Sequence, residues 1–194
     1  MRRSALLLAL AVPLACALAV AQISIPTNAA APAASGLSMG ASRLGPRSFE
    51  TLAKKFDAEL KTTGANDPIE LLGGTRGLYL DGYGAVFTTE VSLIFTPSIN
   101  PFHQQITPEE ASTVHKRKLA QVPLLKKAMQ QMMLASAAGL DSLPPDQQIV
   151  LAVRLLYLPW EDTTGLPGQI LMRADRRTLT SNAAVDSGIH TEEQ

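Results

Sequence analysis

The sequence predicts an α+β domain: an antiparallel sheet of about four strands, including a long hairpin, with one or two amphipathic helices packed on one face. Three observations predict this class. Apolar residues recur at helical spacing in two separate stretches. They alternate with polar residues at period two from Ala85 onward, and an Asp81-Gly82 pair separates two apolar runs, which is typical of a β-hairpin.

The chain divides into four segments. Residues 1–21 are predicted to be a signal peptide, and residues 22–45 a flexible leader rich in alanine, proline and serine. Residues 46–180 are predicted to form the single folded domain, followed by a disordered polar tail over residues 181–194.

The first segment has the three parts of a secretory signal. Arg2 and Arg3 supply a short positive region, and an uncharged apolar run follows. The run ends with small residues at Ala19 and Ala21, the pattern that signal peptidase requires before cleavage at Gln22. We therefore expect export through the general secretory route to the periplasm or beyond.

Two alternatives to a cleaved signal stay open. The apolar run is long enough for an uncleaved membrane anchor only if Pro13 is tolerated within one helix. Cys16 could carry a lipid, although the residues before it depart from the usual lipidation pattern.

Cleavage after Ala21 changes the chemistry of the chain. It removes Cys16, the only cysteine, so the mature protein is expected to have neither a disulfide nor thiol chemistry. It also removes two of the 17 basic residues, which leaves 15 against 17 acidic residues and a net charge of −2. This balance indicates no nucleic-acid partner, and no stable transmembrane span is expected after cleavage.

The folded domain is predicted to begin with an amphipathic helix. From Phe49 to Leu60, apolar residues recur at spacings of three and four, which places them on one stripe of a helix. Ser48 is a candidate N-cap, and Gly64 is a candidate stop signal just beyond the last turn.

The next stretch predicts the hairpin. Asp81 and Gly82 suit a type I′ turn, in which both central residues need a positive φ, so residues 76–80 should pair with residues 83–87. In the second strand of the hairpin the odd positions are mostly apolar and are expected to face inward, which leaves Glu90 on the outward face.

A second helix is predicted after the hairpin. Thr107, Pro108 and Glu110 match a capping box with proline at the first helical position, and Gly139 ends the pattern. Pro123 lies inside the pattern and predicts a kink or a break.

Two further strands complete the predicted sheet. Residues 149–158 form the most apolar run of the mature chain and predict a central strand, in which Arg154 is the one charged residue. Residues 169–174 are expected to return as its partner, and residues 175–179 to form a short helix or the end of that strand.

No motif in the chain indicates a reaction. The segment from Gly73 to Gly77 lacks the lysine and the spacing of a phosphate-binding loop, so it indicates a strand bulge or a turn. His103, His115 and His190 are far apart and form no metal-binding motif. We therefore predict no catalytic residue, no metal site and no cofactor.

Four residues are the candidates for binding. Arg76 and Tyr83 belong to the hairpin region, Glu90 lies on its outward face, and Trp160, the only tryptophan, follows the central strand in a loop. The favoured hypothesis is an exported, soluble bacterial protein that acts as a non-enzymatic binding or interaction domain of the cell envelope, with an envelope protein as a possible partner.

Two alternative functions make different demands on the structure. A hydrolase would use carboxylates from Asp81, Glu90, Glu161 or Asp162, two of which should lie within about 5–10 Å in a deep pocket. A subunit of an envelope assembly would use the leader as a tether. A binding domain should instead expose an apolar patch, near the methionine-rich part of the second helix or near Trp160.

Overall fold

The computed structural model describes most of the folded domain, in these ranges: 45–64, 66–97, 99, 101, 105–181 and 188–194. The predicted signal peptide, its cleavage point between Ala21 and Gln22, Cys16 and the leader up to residue 44 lie outside the described residues, as does His103. No helix in the described ranges is long and apolar enough to cross a membrane.

Within these ranges the chain forms three helices and five strands. In chain order they are α1 (Pro46–Thr62), β1 (Glu70–Leu80), β2 (Gly84–Ser92), α2 (Pro108–Gly139), β3 (Gln148–Leu155), β4 (Gln169–Asp175), α3 (Arg176–Thr180) and β5 (His190–Glu193).

The five strands form one sheet in the order β1-β2-β3-β4-β5, and the α+β class is confirmed. The sheet has five strands rather than about four, and it is not wholly antiparallel, because β2 and β3 run parallel. The physical reason is the long helix α2, which carries the chain back along the sheet so that β3 starts at the same end as β2.

The fifth strand falls within the segment predicted to be a disordered tail. β5 pairs antiparallel with β4, and Ile189 beside it is buried against the core. Backbone hydrogen bonds between Gln169 and Gln194 close the ladder, at 3.1 Å and 3.0 Å. The four residues of β5 are all polar, so they show no hydrophobic alternation from which a strand could be predicted.

The predicted hairpin is present, but its predicted register is wrong by one residue: residues 76–80 pair with residues 84–88 and not with residues 83–87, because the connecting loop has three residues and not two. Arg76 pairs with Thr88 and Leu80 pairs with Gly84. A three-residue loop from Asp81 to Tyr83 connects the strands, with the Tyr83 amide donating to the Leu80 carbonyl at 3.1 Å. The inward-facing odd positions of β2 are buried, and Glu90 is exposed, as the alternation predicts.

The two long helices differ in how well their ends were predicted. The N-cap of α1 is Gly45, not Ser48, because Pro46 takes the first helical position and moves the start upstream. The capping box of α2 is confirmed. A kink or a break was predicted at Pro123, and of these two the break is wrong, since the helix continues through Pro123.

Replacing Thr107 by alanine should lower the free energy of unfolding by about 1 kcal/mol, because the Glu110 amide loses its acceptor at the helix start. Thr113→Ala is the matched control: its hydroxyl only bonds back to the Glu109 carbonyl within the helix, so its removal should cost almost nothing. Urea unfolding followed by circular dichroism measures both. Equal losses would argue against the cap.

The helices cover one face of the sheet. Phe49 of α1 packs against Phe87 of β2 with ring centroids 5.6 Å apart, and Met129 and Met133 of α2 are fully buried in the same core. The methionine-rich part of α2 is therefore core and not an exposed binding surface. Side chains on the opposite face of the sheet are largely exposed, among them Arg76, Thr88, Glu90, Arg154 and Arg173.

Candidate functional site

The face of the sheet that α1 and α2 leave uncovered contains a cleft of about 380 Å³. We call it the open-face cleft. Strands β1 to β4 all contribute to it, and its lining includes Gly73, Gly74, Arg76, Thr88, Glu90, Arg154 and Gln169. The register explains this grouping, because Glu90 lies between Gly73 on one side and Arg154 on the other.

The cleft owes its shape to an irregularity in β1. The pairing of β1 with β2 shifts register on both sides of Gly73, which confirms the predicted bulge or turn in this segment. A Cβ atom built on Gly73 would have no heavy atom within 4 Å. The absent side chain of Gly73 therefore leaves open space beside the neighbouring strand.

The open-face cleft carries an excess of positive charge. Glu90 and Arg154 form an ion pair at 3.5 Å, with both side chains more than half exposed, so the pair contributes at most about 1 kcal/mol. The guanidinium of Arg76 forms no hydrogen bond or ion pair with any described residue. Two guanidinium groups thus line the cleft against one carboxylate.

The structure brings together two of the four predicted binding residues. Arg76 and Glu90 both line the open-face cleft. Tyr83 lies in the hairpin loop, at the opposite end of β2 from Glu90, and Trp160 lies in the loop between β3 and β4, where it is partly buried. The sequence reasoning did not select Arg154 for binding, although its position as the one charge in an apolar strand was a usable signal.

The four candidate carboxylates of the hydrolase hypothesis do not line one common cleft in the part of the chain that the structure describes. Asp81 is exposed in the hairpin loop, and Glu90 is the only one of the four that lines the open-face cleft. Glu161 is buried in an ion pair, and Asp162 is exposed. A side-chain hydrogen bond from Thr164 lowers the pKa of Asp162 below its usual value, with help from the Thr164 backbone amide.

The described residues include no group of three or more histidine, cysteine or acidic side chains that could hold a metal ion. His115 contacts the protein backbone: its Nδ1 atom lies 2.9 Å from the carbonyl oxygen of Asp162. His190 lies on β5, with its Nε2 atom 2.9 Å from a carboxylate oxygen of Glu192.

A second polar group lies inside the domain, and sequence reasoning missed it. Lys118 of α2 and Glu161 form an ion pair at 2.5 Å in which each side chain is only 1% exposed. The Lys118 Nζ atom also lies 3.5 Å from the Ser92 hydroxyl and 5.0 Å from the centroid of the Tyr157 ring. We call these four residues the buried ion-pair cluster.

The surroundings of the cluster alter the chemistry of Tyr157. Burial, together with the negative charge of Glu161, raises the pKa of Tyr157 to about 12. The hydroxyl therefore stays protonated at neutral pH, and it donates a hydrogen bond to the Pro167 carbonyl at 2.7 Å. This hydrogen bond holds the half-buried Tyr157 ring in place beside Lys118.

Comparison of the chain with protein-family models, with curated proteins and with solved structures finds no match. A function therefore has to be inferred from the chemistry of the open-face cleft and of the buried ion-pair cluster.

Proposed function

We propose that the chain is an exported, non-enzymatic binding domain of the bacterial cell envelope, and that its open-face cleft binds an acidic segment of a protein partner. The observation that carries this proposal is Arg76. Its guanidinium lines a ready-made recess without a partner among the described residues. The signal-like first 21 residues support the exported location.

The polar groups of the cleft favour a carboxylate as the bound group. A guanidinium presents donors in a planar fork that matches both oxygens of a carboxylate, and Arg76 is free to use it. Arg154 supplies a second fork, because its exposed pair with Glu90 is weak enough to be exchanged for a ligand. Thr88 and Gln169 add neutral hydrogen-bonding groups beside them.

Apolar residues next to the cleft favour a peptide segment. Leu78 and Leu80 follow Arg76 at period two on the same face of β1, and their side chains are 45% and 46% exposed. An extended partner with an acidic side chain followed by apolar side chains at every second position would match both the charge and the leucines, because alternate residues of an extended segment share one face.

The four candidate carboxylates do not line one common cleft among the described residues, and this supports binding over hydrolysis. Acid–base hydrolysis by a carboxylate pair needs two such groups close together on either side of the substrate. Of the four candidates, the open-face cleft is lined by Glu90 alone, and that carboxylate pairs with Arg154.

A titration of the purified protein with the peptide acetyl-Glu-Ser-Leu-Ser-Leu-amide, whose acidic and apolar side chains share one face when it is extended, tests the proposal. Arg76→Ala should weaken binding by about tenfold or more, because a hydrogen bond to a charged group contributes roughly 1.5–3 kcal/mol. Isothermal titration calorimetry measures the change. Affinity should also fall between low and high salt, since the contacts are exposed.

Two controls make the result specific. The glutamine twin of the peptide should bind much more weakly, and Arg177→Ala, which removes an exposed arginine of α3, should leave the affinity unchanged. Gly73→Leu should block binding without unfolding the domain, because its side chain would enter open space. Equal binding of both peptides, or equal effects of the two arginine variants, would refute the proposal.

A further inference from the structure

A second cavity, of about 250 Å³, adjoins the buried ion-pair cluster. Leu72, Leu156 and Leu158 form its apolar walls, and Glu70, Tyr157 and Glu161 are among its polar lining residues. No residue that lines this cavity also lines the open-face cleft, so the two sites can be tested separately.

The cavity contains an unsatisfied hydrogen-bond acceptor. Glu161 uses its Oε2 atom for Lys118, but its Oε1 atom is buried and has no hydrogen-bond partner. A buried carboxylate oxygen without a donor is costly, and native proteins rarely leave one in that state. A donor from outside the chain would remove this cost.

The charges around the cavity determine which charge that donor should carry. Lys118 balances the charge of Glu161, and Glu70 adds a second carboxylate that forms no ion pair or hydrogen bond with a described residue. The two carboxylates of the lining, together with Lys118 behind Glu161, therefore carry one net negative charge. A cation is attracted to it, whereas an anion is repelled.

We propose that the second cavity is a binding site for a small organic cation with a short apolar chain, that is, an alkylammonium ligand. The ammonium group donates to the free Oε1 atom of Glu161 and is balanced by Glu70. The alkyl chain lies against the leucine walls, where its burial removes apolar surface from water. This inference does not depend on the proposed function of the open-face cleft.

Three probes of the same length and shape test the inference: butylammonium, butanol and butyrate, each titrated into the ¹⁵N-labelled protein and followed by NMR. Butylammonium should shift the amide signals of residues 156–161 in a saturable manner. Butanol keeps the chain but loses the charge, so it should bind about tenfold more weakly. Butyrate should not bind, because its carboxylate meets Glu70 and Glu161.

A conservative variant identifies the contribution of the second carboxylate. Glu70→Gln should weaken butylammonium binding at least about threefold, because it removes charge and keeps shape. Glu109→Gln is the matched control: Glu109 is exposed in the first turn of α2 and does not line the cavity. The affinity of the Glu109→Gln variant for butylammonium should equal that of the unmodified protein.

The same titrations contain the results that would overturn the inference. If butylammonium causes no saturable shift, the free oxygen of Glu161 is satisfied by water alone and the cavity is not a cation site. If butanol binds as tightly as butylammonium, or Glu70→Gln changes nothing, the cavity recognises apolar chains irrespective of charge. Neither result affects the acidic-peptide test.

Discussion

Lys118→Met is expected to lower the free energy of unfolding by about 3–5 kcal/mol, because it leaves the carboxylate of Glu161 buried without its counter-ion. Methionine preserves the length and most of the volume of the lysine side chain, so little of this loss comes from packing. Equilibrium unfolding in urea, followed by circular dichroism, measures the change.

The same helix offers a matched control for this substitution. Lys126 of α2 pairs with Glu193 at 2.5 Å, but both side chains are about one-third or more exposed. Lys126→Met should therefore cost at most about 1 kcal/mol. If the two variants lose equal free energy of unfolding, breaking the Lys118–Glu161 pair costs no more than breaking an exposed pair, and our description of the cluster as buried is wrong.

A double variant separates the ion pair from the rest of the core. Lys118→Met combined with Glu161→Leu removes both charges and should recover most of the stability lost by the single variant. Recovery would show that the cost lies in the unpaired charge. A double variant as unstable as Lys118→Met alone would instead point to lost packing.

Gly84→Ala is expected to cost more than about 3 kcal/mol, because two penalties coincide at this position. The backbone φ of Gly84 is +141°, where a side chain is strained. A Cβ atom there would also overlap the backbone of Gln148 on β3. Gly84 is the first residue of β2, so a shift here would disturb both the hairpin and the parallel pairing.

Gly82→Ala isolates one of these two penalties. Gly82 has a φ of +71°, but a Cβ atom at this position would have no heavy atom within 4 Å. Its replacement should lower the free energy of unfolding only by the strain of an alanine in the left-handed conformation, about 1–2 kcal/mol. Urea unfolding of both variants gives the difference, and equal losses would contradict a close approach between β2 and β3.

The elements that were predicted correctly are those whose side chains show a period. The apolar stripe of α1 and the alternation in β2 are local patterns, and the Asp81-Gly82 pair marks the turn between β1 and β2. The same alternation placed Glu90 on the outward face. The capping box of α2 could be predicted because its two partners, Thr107 and Glu110, are three residues apart.

The features that were not predicted depend on contacts between distant parts of the chain. The parallel pairing of β2 with β3 follows from the path of α2, and β5 is held by backbone hydrogen bonds that any residue can make. The depth of the open-face cleft depends on register shifts around Gly73.

The buried ion pair could not be predicted for the same reason, because it also depends on a contact between distant parts of the chain. Lys118 follows three other basic side chains in sequence, so nothing local marks it as the one that is buried. Its partner Glu161 is 43 residues away.

The most direct test of whether the open-face cleft binds an acidic segment is to locate the acidic peptide on the protein by NMR. With ¹⁵N-labelled protein and acetyl-Glu-Ser-Leu-Ser-Leu-amide, we expect the largest shifts at the amides of Arg76, Thr88, Glu90 and Arg154, and at the Nε signal of Arg76. The amides of α1 and α2 should hardly move. Shifts concentrated on those helices or around Trp160, with the open-face cleft unchanged, would contradict the account.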